Sequence, residues 1–188
     1  PFPRPRDHRL PGAVSEVLEV NPDVVAIARR YFQVPASDER LTLRVCDGAQ
    51  FLAGAGPGYD AILVDGYDGE SLVEALSSRA FFTSCLKRLN AGGMVAVNLW
   101  GSDRKFNEYL GRIEAAFEGG TLCLPAEKPG NIIAFGFRDP PGRLRWEALA
   151  ARARELEARY GLEFGRFVKA LRSMNRCDDD GIHAGAGS

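Results

Sequence analysis

Four short runs rich in Val, Ile and Leu constrain the fold of this chain more than any other feature. They are Ala13–Val20 (AVSEVLEV), Arg40–Val45 (RLTLRV), Tyr59–Val64 (YDAILV) and Met94–Trp100 (MVAVNLW). Their β-branched content and short length read as strands. Between and after them lie stretches with helical spacing. Asn21-Pro22 opens one over Pro22–Phe32, with a good cap followed by a proline suited to the first turn. Its apolar face is Val24, Ile27, Ala28 and Tyr31. A short helix starting at Asp47 carries Phe51 and Leu52, and Ser78–Leu89 aligns Phe82, Cys85, Leu86 and Leu89 before the stop at Asn90–Gly93. Asp103–Phe117 aligns Phe106, Leu110, Ile113 and Phe117. Alternation of this kind predicts a mostly parallel, three-layer α/β sheet.

The pattern then changes. Gly120–Phe137 reads as two strands around a Pro-Gly-Asn turn, an antiparallel hairpin. A long amphipathic helix within Leu144–Tyr160 (Leu149, Ala153, Leu156, Tyr160) and a shorter one over Phe164–Leu171 follow. Residues 1–12 are rich in Pro and Arg and read as irregular. One domain is expected over 13–175, with no interdomain linker, and a disordered tail over 176–188.

In such sheets ligands bind beyond the C-terminal ends of the strands. Glu19, Asp47, Asp65 with Asp68, and Asn98 with Trp100 all fall there. Glu19 can be a solvated acid or an acceptor for both hydroxyls of a ribose. Asp47 can cap its helix, accept an exocyclic amine such as adenine N6, or do both, and Gly48 would let a base come close to the backbone. Asp65 and Asp68 flank Gly66 and Tyr67 in ILVDGYDGE. Asp-Gly is a common turn. Two carboxylates a few residues apart also suit an amine nucleophile, which is a cation near neutral pH with a pKa of about 10. They can bind it as a cation and then take its proton.

Other classes find little support. With 24 basic and 25 acidic residues the net charge is −1, which gives no electrostatic case for nucleic acid or an anionic membrane surface. No apolar run approaches the roughly 20 residues of a membrane helix, and no signal-peptide pattern is read at the start. The four cysteines form no C-x-x-C pair, which suits a reduced, cytoplasmic protein with buried thiols. The two histidines, His8 and His183, lie in the two tails, so neither a metal site nor a histidine-based triad is expected.

Taken in order, LEVNPDVVAIARRYF, CDGAQFL, ILVDGYDG, FFTSCLKRLNAGGMVAVNL and PAEKPGNIIAFGF resemble the spermidine/spermine synthase family, the polyamine aminopropyltransferases, and in particular its short bacterial members. The similarity runs from about Ala13 to Asn175. It implies a Rossmann-like fold of the class I methyltransferase type. It also implies decarboxylated S-adenosylmethionine as co-substrate and a putrescine-like polyamine as acceptor, with no resident cofactor. By the same resemblance Glu19 holds the ribose, Asp47 and Gly48 the adenine, Asp65 accepts the proton and Asp68 anchors an amine. Gly66 and Tyr67 line the acceptor site, and a homodimer is one assembly open to the chain.

The chain departs from the family in several places. The usual D-S-S-D-P or D-S-T-D-P is D-G-Y-D-G here. Asn98 stands where Gln is common and Phe82 where Tyr is common. The family's small N-terminal β-domain, its first central strand and the glycine-rich nucleoside loop are not found. The chain is therefore expected to be an N-terminally truncated form, with unpaired edges on the strands flanking the gap. Two alternatives stay open: a methyltransferase using S-adenosylmethionine, and a non-catalytic remnant.

Overall fold

The computed structural model describes residues 12–35, 37–67, 72–126 and 130–185. The chain is α/β, as expected, but the single domain expected over 13–175 divides into two compact units, Pro1–Gly54 and Ala55–Ser188. The boundary falls just before the Gly-Pro-Gly break at residues 56–58.

The first unit is one β-α-β crossover. Strands β1 (Ser15–Glu19) and β2 (Leu41–Val45) pair in parallel, with Glu19 opposite Val45. Parallel neighbours need a crossover, and helix α1 (Pro22–Phe32) provides it. The Asn21 side chain caps α1 by accepting from the Asp23 amide at 2.9 Å. A short helix α2 (Gly48–Ala53) follows β2. The apolar face expected for α1 is not covered. Val24 is 46%, Ile27 50% and Tyr31 66% exposed, and Val25 is the residue of this helix that is buried. Two strands present too little surface to bury a full helical stripe.

The second unit holds a four-stranded sheet in the order β3-β4-β6-β5. Its strands are β3 (Tyr59–Val64), β4 (Leu89–Trp100), β5 (Thr121–Pro125) and β6 (Asn131–Phe137). β3 and β4 are parallel, and β6 runs antiparallel to both β4 and β5, which is the expected terminal hairpin. On β4 alternate residues Val95, Val97 and Leu99 are fully buried. They share a face with Ala134 and Gly136 of β6, packed under α3 (Arg79–Arg88) and α4 (Phe106–Ala116), whose Phe82, Cys85, Tyr109 and Ile113 are buried. A Cβ at position 136 would sit 2.6 Å from the Phe117 ring, so only glycine fits there. Leu89 and the Asn90–Gly93 stretch, expected to end α3, instead begin β4, with a register shift opposite Tyr59/Ala61.

The other sheet face is covered by α5 (Trp146–Tyr160) and α6 (Phe164–Leu171) together with a small ladder of β7 (Gly142–Arg145) and β8 (Gly181–Ala184). Leu122, Trp146, Ile182 and Ala184 form its buried centre, against Phe135, Phe137 and Leu149. The tail expected to be disordered from residue 176 is thus ordered through β8, and His183 lies within a strand. Composition misled here, because Ile182 and Ala184 are few but fully buried. Residues 186–188, and residues 1–11 with His8, lie outside the described residues.

No strand among the described residues pairs with the second edge of β1 or of β3. β3 has the continuous apolar sequence of an interior strand, yet its Leu63 is 77% exposed. Of the cysteines, Cys85 and Cys123 are buried, Cys46 is half-buried and Cys177 is exposed. Burial pushes the Cys85 thiol up to about 12, so it acts as a core hydrophobe. No helix among the described residues is long and apolar enough to cross a membrane.

The β7–β8 ladder carries a pH response. Asp178 accepts from His183 Nε2 at 3.2 Å, the amides of Asp180 and Gly181, and Arg143 Nη2 at 2.9 Å. These bonds, that to His183 foremost, hold its carboxyl well below the usual carboxylate range. A carboxyl lowered in the folded state adds stability that is present above the ordinary Asp value of about 4. That contribution is lost as pH falls below it. Trp146 donates its indole N–H to the Asp178 carbonyl at 2.9 Å, so its fluorescence should report loosening of this ladder below about pH 4. Asp178→Asn should flatten that response.

Candidate active site

The structure groups the expected site residues into two sets, one in each unit. In the first, the parallel register places Glu19 and Asp47 at the C-terminal ends of adjacent strands, with the Cys46 amide donating to the Glu19 carbonyl at 3.0 Å. Glu19 Oε1 accepts from the Asn21 amide at 2.8 Å, which holds the half-buried carboxylate at the strand end. Asp47 caps α2. Its Oδ1 accepts from the amides of Ala49 at 2.8 Å and Gln50 at 3.2 Å, and its Oδ2 accepts from Gln50 Nε2 at 3.2 Å. The capping role read from the sequence is therefore present. Gly48, the first residue of α2, follows it.

The second set stands at the ends of β3 and β4. Val64 pairs with Val97, so Asp65 emerges beside Asn98. Asn98 Nδ2 donates to Asp65 Oδ1 at 2.9 Å, and Asp65 is otherwise exposed to solvent. An exposed carboxylate held by one amide can still receive a cation.

Gly66 and Tyr67 are fixed by packing rather than left as a loose turn. The Val73 amide donates to the Gly66 carbonyl at 2.9 Å, and Tyr67 bridges Leu72. A Cβ on residue 66 would meet Leu76 Cδ1, the far end of a side chain that would have to shift to admit it. The Trp100 amide donates to the Tyr67 hydroxyl at 2.6 Å. Burial pushes the Tyr67 phenol up, opposed by that bond and aided by the charges of Asp103 and Asp65, so it keeps its proton near neutral pH. Asp68 lies outside the described residues.

Sequence reading missed two residues here. Asn131, at the start of β6, donates from Nδ2 to Asn98 Oδ1 at 3.0 Å. Asp103 bends the chain after β4, its Oδ1 accepting from the Lys105 amide at 2.8 Å, while its Oδ2 is buried without a partner among the described residues. Neither residue falls at an expected strand end, and only the β4–β6 register reveals Asn131. Phe82, where the family commonly has Tyr, is fully buried against Phe81 and belongs to the core.

The chain matches the family model described as the spermine/spermidine synthase domain over residues 13–110. It is 41% identical over 175 residues to a polyamine aminopropyltransferase of Chromobacterium violaceum, covering 93% of this chain and 67% of that protein. It is 33% identical over 111 residues to putrescine N-methyltransferase 3 of Nicotiana tabacum, covering 55% of this chain and 29% of the relative. Among solved structures, a probable spermidine synthase from Corynebacterium glutamicum superposes with a TM-score of 0.64 at 22% identity, covering 88% of this chain and 64% of that one. The chain thus spans about two thirds of the length of the polyamine aminopropyltransferase it matches.

Proposed function

The chain belongs to the spermine/spermidine synthase family, and from that premise we propose that it carries the acceptor and nucleoside residues of an aminopropyl transfer. The observation that carries this reading is the exposed Asp65 carboxylate, held by Asn98 at the C-terminal end of β3. The donor in this proposal is decarboxylated S-adenosylmethionine and the acceptor a putrescine-like amine. Glu19 takes the ribose hydroxyls. Asp47 keeps its cap and accepts from the adenine amine, with Gly48 beneath the base. Asp65 binds the acceptor amine as its cation and then removes a proton, and Asp68 anchors an amine of the same molecule. Gly66 and Tyr67 shape the acceptor's surroundings.

The chemistry balances without a metal or a resident cofactor. The free amine attacks the aminopropyl carbon next to the sulfonium. A C–N bond forms, the C–S bond breaks, and its electron pair returns to sulfur, giving neutral methylthioadenosine. The one proton released, taken from the acceptor ammonium before attack, stays on Asp65, and the product leaves as a secondary ammonium. Because the sulfonium is a good leaving group, the protein contributes mainly alignment and a base.

A second reading, N-methylation of an amine from S-adenosylmethionine, draws support from the named activity of the tobacco relative. It would use the same acids and differ in the group carried by the sulfonium. Calorimetry with methylthioadenosine tests the nucleoside half that both readings share. Micromolar binding by the 188-residue chain is the expected result. Absence of any binding heat would overturn the assignment of Glu19 and Asp47 and favour a non-catalytic remnant.

A further inference from the structure

The Asp65 contact continues one residue further than the proposed chemistry uses. Asp65 Oδ1 accepts from Asn98 Nδ2 at 2.9 Å, and Asn98 Oδ1 accepts from Asn131 Nδ2 at 3.0 Å. The direction of this chain follows from valence. An ionised carboxylate only accepts hydrogen bonds. Asn98 must therefore turn its NH2 toward Asp65, which leaves its carbonyl oxygen facing Asn131. Asn131 must in turn present its own NH2. Each amide has one orientation that satisfies its neighbours, and the opposite orientation of either would set two acceptors or two donors face to face.

The backbone supports the arrangement. Asn98 pairs with Ile133 and Trp100 with Asn131 across the antiparallel β4–β6 ladder, so Asn98 and Asn131 are diagonal neighbours on one face of the sheet. Asn98 is half-buried between the fully buried Val97 and Leu99, and its backbone is held by the ladder. The flip of its amide is set from two sides, by the Asp65 carboxylate that accepts from Nδ2 and by Asn131 Nδ2 that donates to Oδ1.

We propose that Asn131 is a positioning residue for the transfer, acting through Asn98 to hold the Asp65 carboxylate with Oδ1 occupied and Oδ2 presented to the acceptor amine. This rests on reading Asp65 as the proton acceptor. Asn131 touches neither substrate nor Asp65 itself. It works by donating to Asn98 Oδ1, which reinforces the orientation the carboxylate requires, and by strengthening the Asn98 N–H donor through its own bond.

Two substitutions at this exposed position separate the proposal from a general loss of structure. Asn131→Leu deletes the donor. Asn131→Asp replaces it with an acceptor, so that Asp65 and the new carboxylate compete for the single NH2 of Asn98. The first readout is the side-chain amide resonance of Asn98 in the 188-residue chain, which needs no turnover. In both variants exchange of the Asn98 amide protons with water should rise about tenfold, with a shift toward the free-amide position, while the backbone spectrum stays native. An unchanged Asn98 signal in both would overturn the proposal.

The second readout is kinetic. In Asn131→Asp, kcat for aminopropyl transfer should fall about 10- to 100-fold with KM for the donor within about twofold, since orientation at the reacting atoms is what is lost. Equal kcat in variant and parent, with the amide signal moved, would also overturn it, because the relay would then exist without serving the reaction. Absence of aminopropyl transfer by the parent protein would instead count against the reading of Asp65. In that case the amide signal still decides whether Asn131 orients Asn98.

Discussion

Asp65→Asn is expected to lower turnover by about 10²- to 10⁴-fold, the usual worth of a placed general base, while nucleoside affinity stays within about twofold. The substitution is nearly isosteric. The new amide can still offer its oxygen to Asn98 Nδ2, the donor that holds Asp65 now, so the β3–β4 end should keep its geometry. What disappears is the charge that receives an ammonium and the lone pair that takes its proton. The apparent KM for the acceptor should therefore rise along with the fall in kcat. Steady-state kinetics beside methylthioadenosine titration checks both halves. Equal loss of turnover and nucleoside binding would make Asp65 a structural residue.

Glu19→Ala is expected to produce the complementary result. It removes a charged acceptor proposed to serve the ribose hydroxyls, and a hydrogen bond to a charged group is worth about 1.5–3 kcal/mol. Affinity for methylthioadenosine should drop roughly 10- to 100-fold. Folding should be disturbed little, because among the described residues the Glu19 side chain supports one local contact, to the exposed Asn21 amide. Calorimetry on the variant, with a melting curve as control, gives the answer. Unchanged affinity would return Glu19 to the status of a solvated strand-end acid.

Much of this arrangement was legible in the sequence because strand ends are legible. The runs ending in Val20, Val45, Val64 and Trp100 set the elements, and Glu19, Asp47 and Asp65 stand at or just past the strand ends. Asp47 reads as a cap from its position before Gly-Ala-Gln, and it is one. Pairing across the sheet was less legible. Asn131 meets Asn98 through an antiparallel register that no local motif encodes, and Tyr67 meets the Trp100 amide across two strands. Gly66 and Tyr67 read as a departure from the D-S-S-D-P pattern, whereas the structure ties them to Leu76, Val73 and Leu72.

Burial was misjudged where one residue does the work of many. Ile182 and Ala184 sit in a Gly- and Asp-rich stretch that reads as a disordered tail, yet they close the layer around Trp146. The reverse holds for α1. Its Val24, Ile27 and Tyr31 stripe is a proper amphipathic pattern, but a pattern states what a helix could bury and not whether a surface exists to bury it. Exposed Leu63 on β3 makes the same point for a strand.

The transfer itself is tested most directly by product identity. The protein is incubated with putrescine and equimolar decarboxylated S-adenosylmethionine and S-adenosylmethionine, and the released nucleosides are separated by mass. The expected products are methylthioadenosine and an aminopropylated amine, both lost in Asp65→Asn. Adenosylhomocysteine with a methylated amine, and no methylthioadenosine, would contradict aminopropyl transfer.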